Sequence, residues 1–126
     1  MPVVFDTNII IDVFRFNKQA KKLLEKVERK ELSGIISSLT ESEILSGKEC
    51  KNPMKRKIIE NTIKLFTKID VTNDIASKAG EFRRNYSTPL IDSIIAATAF
   101  FTKSKVWTKN IDHFKRIKEI DAEEPY

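Results

Sequence analysis

The chain has 126 residues, with 23 Lys or Arg against 18 Asp or Glu, which gives a formal net charge of +5. Because 40% of the residues are hydrophobic while only 3 are Gly and 4 are Pro, the composition excludes a collagenous, low-complexity or wholly disordered chain. A single cysteine excludes a disulfide framework and a cysteine-rich zinc site. We expect one domain over residues 1–126, located in the cytoplasm, with no signal peptide or membrane span, and the positive charge is compatible with a polyanionic partner.

Short β-branched or aromatic runs predict strands, and apolar residues at helical spacing after capping residues or Pro predict helices. In chain order, the predicted elements are a strand over 3–5, helices over 9–14 and 18–30, a strand over 35–37, helices over 38–47 and 53–66, a strand over 69–71, helices over 72–85 and 90–102, a strand over 106–108, a helix over 112–117 and an edge strand that includes Ile120. This alternation is typical of a parallel sheet covered by helices on both faces. We therefore predict an α/β fold, a three-layer α/β/α sandwich around a mostly parallel sheet of four to five strands.

Polar side chains that follow the predicted strands indicate where a site lies, because ligands of open α/β sheets bind beyond the carboxyl ends of the strands. These residues are Asp6 after the first strand, Glu43 and Asp92 near the starts of two helices, and Thr108, Asn110 and Asp112 after the fourth strand. Each acid also has a purely structural interpretation. Asp6 could cap the first helix, and Asp92 could complement a helix dipole by about 0.3–1 kcal/mol. Glu43 could complete a capping box with Thr40, unless Ser38 is the cap.

Asp92 fits the structural interpretation least well. Three, four and seven residues further along its predicted helix lie Ile95, Ala96 and Ala99, a small apolar face suited to packing on a sheet. A carboxylate at the head of such a face has a large desolvation cost unless a cation or hydrogen-bond donors meet it, and Asp6 has the same problem after a buried strand. A hard divalent cation such as Mg²⁺ removes the repulsion between converging carboxylates and catalyses phosphodiester hydrolysis. The residues therefore favour a metal-dependent nuclease over a His- or Cys-based mechanism.

Four segments of the chain carry a resemblance to one family. They are VFDTN at residues 4–8, SSLTESE at 37–43, PLIDSIIAATA at 89–99 and TKNIDHF at 108–114. In this order, and in a chain of this length, they resemble the PIN-domain ribonucleases and, among these, the small toxins of VapBC-type toxin–antitoxin pairs. The resemblance covers essentially the whole chain and implies a PIN-like fold with a doubly wound, mostly parallel sheet between helices, in agreement with the periodicity.

The resemblance also implies a site and a reaction. The acidic cluster of the family falls on Asp6, Glu43 and Asp92, which are expected to hold Mg²⁺ or Mn²⁺. At the fourth position, where many relatives have an acid, this chain has Asn110, and either Asn110 or the nearby Asp112 is expected to complete the catalytic set.

The implied activity is endoribonuclease hydrolysis of RNA by a metal-activated water, without help from the 2′-hydroxyl. Such toxins usually form dimers and are silenced by a cognate antitoxin that packs into the active-site groove, so RNA, an antitoxin and a second copy of the chain are the expected partners.

The basic residues nearest the predicted site are the candidates for contacting RNA phosphates. Arg83 and Arg84 lie just upstream of the helix that carries Asp92, and Lys109 lies beside the site.

The lone histidine, His113, is interpreted as a capping or packing residue rather than a general base, and Cys50 as a residue without a role in the site. Two alternatives to a toxin stay open: a housekeeping RNA-processing nuclease with the same site, and a PIN-fold binding module that has lost its metal affinity.

Overall fold

Parallel strands form the centre of the molecule. The structure, a computed structural model, describes residues 2–126. The strands in this range are β1 (Pro2–Phe5), β2 (Ser33–Ser37), β3 (Thr67–Ile69), β4 (Lys105–Trp107) and β5 (Ala122–Glu123). They pair in the order β3-β2-β1-β4-β5, and every pair is parallel. β1 is therefore the central strand, with β2 on one side and β4 on the other.

Seven α-helices within residues 2–126 cover the two faces of this sheet. They are α1 (Thr7–Phe14), α2 (Lys18–Glu28), α3 (Ser38–Leu45), α4 (Pro53–Ile63), α5 (Asn73–Tyr86), α6 (Leu90–Thr102) and α7 (Ile111–Phe114). A 3₁₀ turn over Lys48–Lys51, which the sequence pattern did not predict, lies between α3 and α4. None of the helices in the described range is both long enough and apolar enough to cross a membrane. The predicted α/β class and three-layer architecture are confirmed.

Alternation along the central strands divides the core into two layers. Val3 and Phe5 belong to a core that includes residues of α1, α2, α3 and α4, whereas Val4 belongs to a second core with residues of α5, α6 and α7. On β2, Ile36 belongs to the first core and Ile35 to the second. All five side chains are buried, because helices cover both faces of the sheet. For this reason the apolar residues of β1 and β2 are consecutive, Val3 to Phe5 and Ile35 to Ile36, rather than alternating with polar residues.

Helix α6 brings one end of the molecule close to the central strands. Its residues Ala96, Ala97 and Ala99 are at most 1% exposed, and their small side chains allow the helix to pack closely. α6 contacts β1, β2 and β4 and lies along α5. Because the chain leaves α6 and returns directly into the start of β4, the first turn of α6 lies at the opposite edge, near the carboxyl ends of the strands.

A glycine on β2 permits close contact between the sheet and its first helical layer. A Cβ atom on Gly34 would lie 2.8 Å from Phe66 Cδ1 and 3.0 Å from Val27 Cγ2. The Phe66 ring cannot withdraw freely, because it packs edge-on against Phe5 with 4.9 Å between ring centroids. Any larger residue at this position must therefore displace part of the core.

The predicted boundaries of the edge strands were wrong by about two residues. β3 is Thr67–Ile69 instead of 69–71, since the chain enters the sheet directly after the buried Phe66. Thr67 and Lys68 are exposed, so this strand has no apolar signature. β5 is Ala122–Glu123, and Ile120, predicted as part of that strand, packs against the second core instead.

Several predicted helices are too long at their C-terminal ends. The prediction for α4 extended to 66, but Lys64 is its C-cap, and the prediction for α2 extended to 30, where Lys30 has a φ of 59°. α7 is a single turn that ends at Phe114 rather than a helix to 117. Phe66 and Ile117 continue the apolar spacing of α4 and α7 because they pack on the core, although they lie beyond the ends of these helices.

Replacement of Gly34 by Ala tests the close contact on β2. We expect Gly34→Ala to lower the free energy of unfolding by about 1–3 kcal/mol, because the new methyl group overpacks the core. Gly80→Ala is the matched control: an added Cβ there meets nothing within 4 Å on α5, and the change should raise the free energy of unfolding by about 0.5–1 kcal/mol. Urea unfolding followed by circular dichroism measures both, and an undiminished stability in Gly34→Ala would contradict the contact.

Candidate active site

Asp6 lies at the carboxyl end of the central strand and is only 4% exposed. The register of β1 against β4 pairs Phe5 with Trp107, so Asp6 and Thr108 leave the sheet side by side. The Thr108 hydroxyl donates to Asp6 Oδ2 at 2.7 Å, and the Thr7 backbone N–H donates to Asp6 Oδ1 at 2.8 Å. Asp6 is thus the N-cap of α1, and its carboxylate is fixed at the edge of the sheet at the same time.

Glu43 reaches this edge from α3, the helix that follows β2. The N-cap of α3 is Ser37, one residue before the predicted cap, and its hydroxyl accepts from the Leu39 N–H at 3.2 Å. Glu43 takes no part in this cap; its Oε1 instead accepts from the Thr7 hydroxyl at 2.6 Å. The buried hydroxyl oxygen of Thr40 lies 3.1 Å from that of Thr7. A chain of polar contacts therefore connects the first turn of α1 to α3.

Asp92 reaches the edge from the first turn of α6. No side chain caps this helix, since the N-cap position is Pro89, and the Ser93 hydroxyl donates to the Thr88 carbonyl at 3.1 Å. Free backbone N–H groups and the helix dipole favour a negative charge at such a helix start. The Asp92 side chain is 14% exposed, so it is accessible from solvent while most of it is enclosed.

The lone histidine binds Asp92. His113 Nδ1 lies 2.6 Å from Asp92 Oδ2, and because a carboxylate can only accept, the ring nitrogen donates. His113 lies on α7, which follows β4, so this bond connects α7 to the start of α6. The interpretation of His113 as a capping or packing residue missed this contact, and the side chain is 43% exposed rather than enclosed in the core.

The three acids influence one another electrostatically. Burial raises the pKa of Asp6 to about 6, and the negative charges of Asp92 and Glu43 act in the same direction, against the hydrogen bonds from Thr108 and Thr7. The predicted carboxylates therefore face one edge of the sheet. Within residues 2–126, however, no three Asp, Glu, His or Cys side chains are close enough together to form a ready-made metal cluster.

The donor set at this edge is chemically suited to a hard divalent cation. All three acids offer carboxylate oxygens, and Mg²⁺ binds proteins through one or two carboxylates while it keeps several waters. A cation would also offset the cost of ionising Asp6, whose raised pKa reflects burial and two like charges. The residues of this edge therefore fit Mg²⁺ or Mn²⁺.

The structure places the two candidates for the fourth position differently. The backbone N–H of Asn110 donates to the Thr108 hydroxyl oxygen at 2.8 Å, so Asn110 lies next to the residue that binds Asp6. The Asp112 side chain is 81% exposed and paired with Lys115 at 2.8 Å, and this hydrogen bond holds the pKa of Asp112 below its ordinary value. Asn110 is thus at the edge of the site, whereas Asp112 faces solvent.

The basic candidates also differ. Arg83 and Arg84 are exposed in the last turn of α5, and neither forms an ion pair within the part of the chain that the structure describes. Lys109 is already engaged: its Nζ donates to the Tyr126 carbonyl, lies 4.4 Å from the centroid of the Tyr126 ring and lies 4.0 Å from Glu124 Oε2. The two arginines are accessible to an anion, while the ammonium group of Lys109 is held by the C-terminal residues.

Sequence reasoning gave no role to three side chains of this edge. Thr7 and Thr108 donate to carboxylates of the site, and His113 binds Asp92. All three lie within the segments on which the family resemblance rests. Thr108 follows β4 directly and was noted for that position without a role, and Thr7 is the first residue of α1; no comparable position marks His113.

Comparisons with known proteins agree with this fold. The family model described as PIN domain matches residues 3–120. Ribonuclease VapC2 of Methanocaldococcus jannaschii is 27% identical over 135 residues, which cover 94% of this chain and 91% of that protein. A chain of a toxin–antitoxin complex from Klebsiella pneumoniae is similar with a TM-score of 0.83 at 30% identity, covering 98% of both chains. A chain of VapBC2 from Rickettsia felis, bound to a DNA fragment from its promoter, has a TM-score of 0.82 at 22% identity and 98% coverage of both chains, which shows a common fold.

Replacement of Asp6 by Asn tests the cost of the buried charge. Its pKa of about 6 in the folded protein exceeds the ordinary 3.8, so the folded state binds this proton more tightly than the unfolded chain does. Ionisation of Asp6 therefore destabilises the fold progressively as the pH rises from about 4 to about 6, by up to about 3 kcal/mol. We expect Asp6→Asn to raise the free energy of unfolding at about pH 7.5 by about 1–3 kcal/mol, and by much less at about pH 4.

Urea unfolding in EDTA across this pH range measures the difference. Asp121→Asn is the matched control, since the same change on an exposed aspartate removes no buried charge. A lower stability of Asp6→Asn than of the wild type at about pH 7.5 would contradict the electrostatic assignment.

Proposed function

Since the chain belongs to the PIN domain family, we propose that it is a metal-dependent endoribonuclease that acts as the toxin of a toxin–antitoxin pair. The resemblance inferred from the four sequence segments is confirmed. One observation carries the proposal: Asp6, Glu43 and Asp92 face the same carboxyl edge of the central strands, and each carboxylate accepts a hydrogen bond from a donor on another element. The name of the curated relative supports a ribonuclease, and the toxin–antitoxin complex at 30% identity supports the partner.

We assign Asp6, Asp92 and Glu43 as the residues that hold the metal. When bound, Mg²⁺ or Mn²⁺ supplies Lewis-acid chemistry that activates water and stabilises charge on the phosphodiester. The chain itself contributes orientation, because Thr108 holds Asp6 from β4 while the first turn of α1 holds both Asp6 and Glu43. Carboxylates fixed in this way lose little freedom when they bind a cation.

For the fourth position we propose Asn110. Its place beside Thr108 supports an auxiliary role at the edge that Asp6 occupies. The exposure of Asp112 and its pairing with Lys115 favour a solvent-facing role for that acid. In the family resemblance an acid is common at this position, so the amide of Asn110 lowers the negative charge of the site by one.

RNA contacts are proposed for Arg83, Arg84 and Lys109. The guanidinium groups of the two arginines are exposed at the end of α5, ahead of the loop that leads to Asp92, and they are suited to bidentate binding of phosphate. Lys109 must leave the C-terminal residues before its ammonium group can bind RNA. The role of Lys109 is therefore conditional, whereas the arginines are available in the structure as it stands.

In addition to the active-site groove that the family resemblance implies, we propose for the antitoxin an apolar cavity of about 530 Å³ between α1, α2 and α4. Phe16, which is 90% exposed, and Ile58, which is 61% exposed, lie at this cavity. Grouped apolar side chains of this size on a surface indicate a protein interaction site. Lys18, Lys21 and Lys55 line it together with Glu28 and Glu49, which favours an amphipathic partner segment that carries charges of both signs. A homodimer and action in the cytoplasm, where RNA substrates are present, complete the proposal.

Cleavage of total RNA tests the proposed reaction. We expect cleavage with Mg²⁺ or Mn²⁺, none in EDTA, and a loss on the order of 10²-fold or more in Asp6→Asn and in Asp92→Asn, because each variant removes a charged ligand of the cation. Asp121→Asn, the same change on an exposed aspartate, should cleave like the wild type. Full cleavage in EDTA would overturn the mechanism. Failure of the wild type both to cleave and to bind Mn²⁺ in a calorimetric titration would favour the binding module instead.

Controlled expression in bacterial cells separates a toxin from a housekeeping nuclease. We expect induction of the wild type to stop growth and induction of Asp6→Asn to leave it unaffected, because arrest requires cleavage of cellular RNA. Growth is followed by optical density, with equal amounts of the two proteins confirmed by immunoblot. Normal growth with an active wild-type enzyme would favour the RNA-processing alternative.

A further inference from the structure

We propose that His113 is a positioning residue for Asp92: it donates from Nδ1 to Oδ2 and thereby fixes the orientation in which that carboxylate faces a divalent cation. This inference rests on the proposed function, since it concerns the same site. His113 is not proposed to touch the substrate or the cation. Its contribution is the direction in which the Asp92 carboxylate points.

Asp6 and Glu43 each have a threonine hydroxyl as donor, and Asp92 does not. Asp6 accepts from the Thr108 hydroxyl, directly after β4, and Glu43 accepts from the Thr7 hydroxyl, in the first turn of α1. The hydroxyl next to Asp92, that of Ser93, is committed to the Thr88 carbonyl. Within residues 2–126, the side chain that bonds to the Asp92 carboxylate is that of His113.

The bond joins two parts of the chain that are themselves fixed. Phe114, directly after His113, is fully buried in the second core, and the Asn110 N–H ties the start of α7 to Thr108. On the other side, α6 is buried from Ser93 to Ala99. Because both backbones are held by packing, the imidazole and the carboxylate meet in a defined geometry rather than as two mobile surface side chains.

The geometry favours an orienting role over a stabilising one. The distance of 2.6 Å is at the short end for a hydrogen bond to a carboxylate, which is typical of a charge-assisted contact. The His113 side chain is nevertheless 43% exposed, and ion pairs of that exposure contribute little to folding. Donors that orient metal-binding carboxylates commonly change metal affinity by 10–100-fold, so the effect of His113 is expected in cation binding rather than in stability.

The tautomer of His113 gives the first test. The chain contains 1 histidine, so its ring nitrogens are identified without ambiguity in a long-range ¹H–¹⁵N spectrum. We expect the neutral ring of the wild type to carry its proton on Nδ1, and we expect the Nε2–H form to predominate in Asp92→Ala, where the acceptor is gone. A wild-type ring with its proton on Nε2 would overturn the inference.

Mn²⁺ titration calorimetry gives the second test. His113→Ala and His113→Gln should weaken Mn²⁺ binding by about tenfold or more, whereas the side-chain N–H of His113→Asn can take the place of Nδ1–H and should keep the affinity within about threefold of the wild type. Lys115→Ala, a change on the turn that follows His113, is the matched control and should bind Mn²⁺ like the wild type. Unchanged or tighter binding in His113→Ala, or Asn behaving like Ala, would overturn the inference.

RNA cleavage by the same variants separates this inference from the proposed function. With His113→Ala, about tenfold more Mn²⁺ should restore the wild-type rate without a change in KM for RNA, because only the orientation of one ligand is lost. A wild type that binds Mn²⁺ and cleaves RNA, together with a His113→Ala variant that matches it at every Mn²⁺ concentration, contradicts the role of His113 alone. A wild type that neither binds Mn²⁺ nor cleaves RNA contradicts the proposed function as well.

Discussion

The burial of a carboxylate at the end of the central strand is the constraint on which the rest of this edge depends. Asp6 has almost no contact with solvent, and two further acids raise its pKa in addition to burial. An ion in this position is unfavourable unless donors or a cation meet it. The neighbouring elements supply donors: the first N–H group of α1 and the hydroxyl that follows β4. These donors do not fully offset the cost of burial and the smaller repulsion from Asp92 and Glu43, and a divalent cation at this edge would reduce both.

The same principle explains how the sheet and helices serve the site. Each acid comes from a different element, and each is oriented by a donor on another element: Asp6 by Thr108, Glu43 by Thr7 and Asp92 by His113. The elements themselves are held by the two cores on opposite faces of the sheet. If Asp6 acts as proposed, stability and function are opposed there, because the group that the proposed chemistry needs is also the one that costs folding free energy.

How much could be predicted from the sequence follows from which features are local. The central strands were predictable because burial on both faces leaves consecutive apolar residues. Asp6 and Asp92 were chosen as candidates because one follows such a run and the other begins a small apolar helix face, whereas the choice of Glu43 depended on the family resemblance. The edge strand β3 was not, since Thr67 and Lys68 are exposed and only pairing with β2 makes them a strand. The bond between His113 and Asp92 joins residues 21 positions apart through the packing of α7 against α6, and no local pattern encodes it.

The central claim, that the acids at the carboxyl edge of the sheet hold a divalent cation, is tested most directly by diffraction at the manganese absorption edge from crystals grown with Mn²⁺. The structure predicts an anomalous peak within bonding distance of Asp6 and Asp92, with His113 still hydrogen-bonded to Asp92. A protein that binds Mn²⁺ in solution but shows no peak at this edge, or shows its peak at surface acids such as Asp112, would contradict the claim.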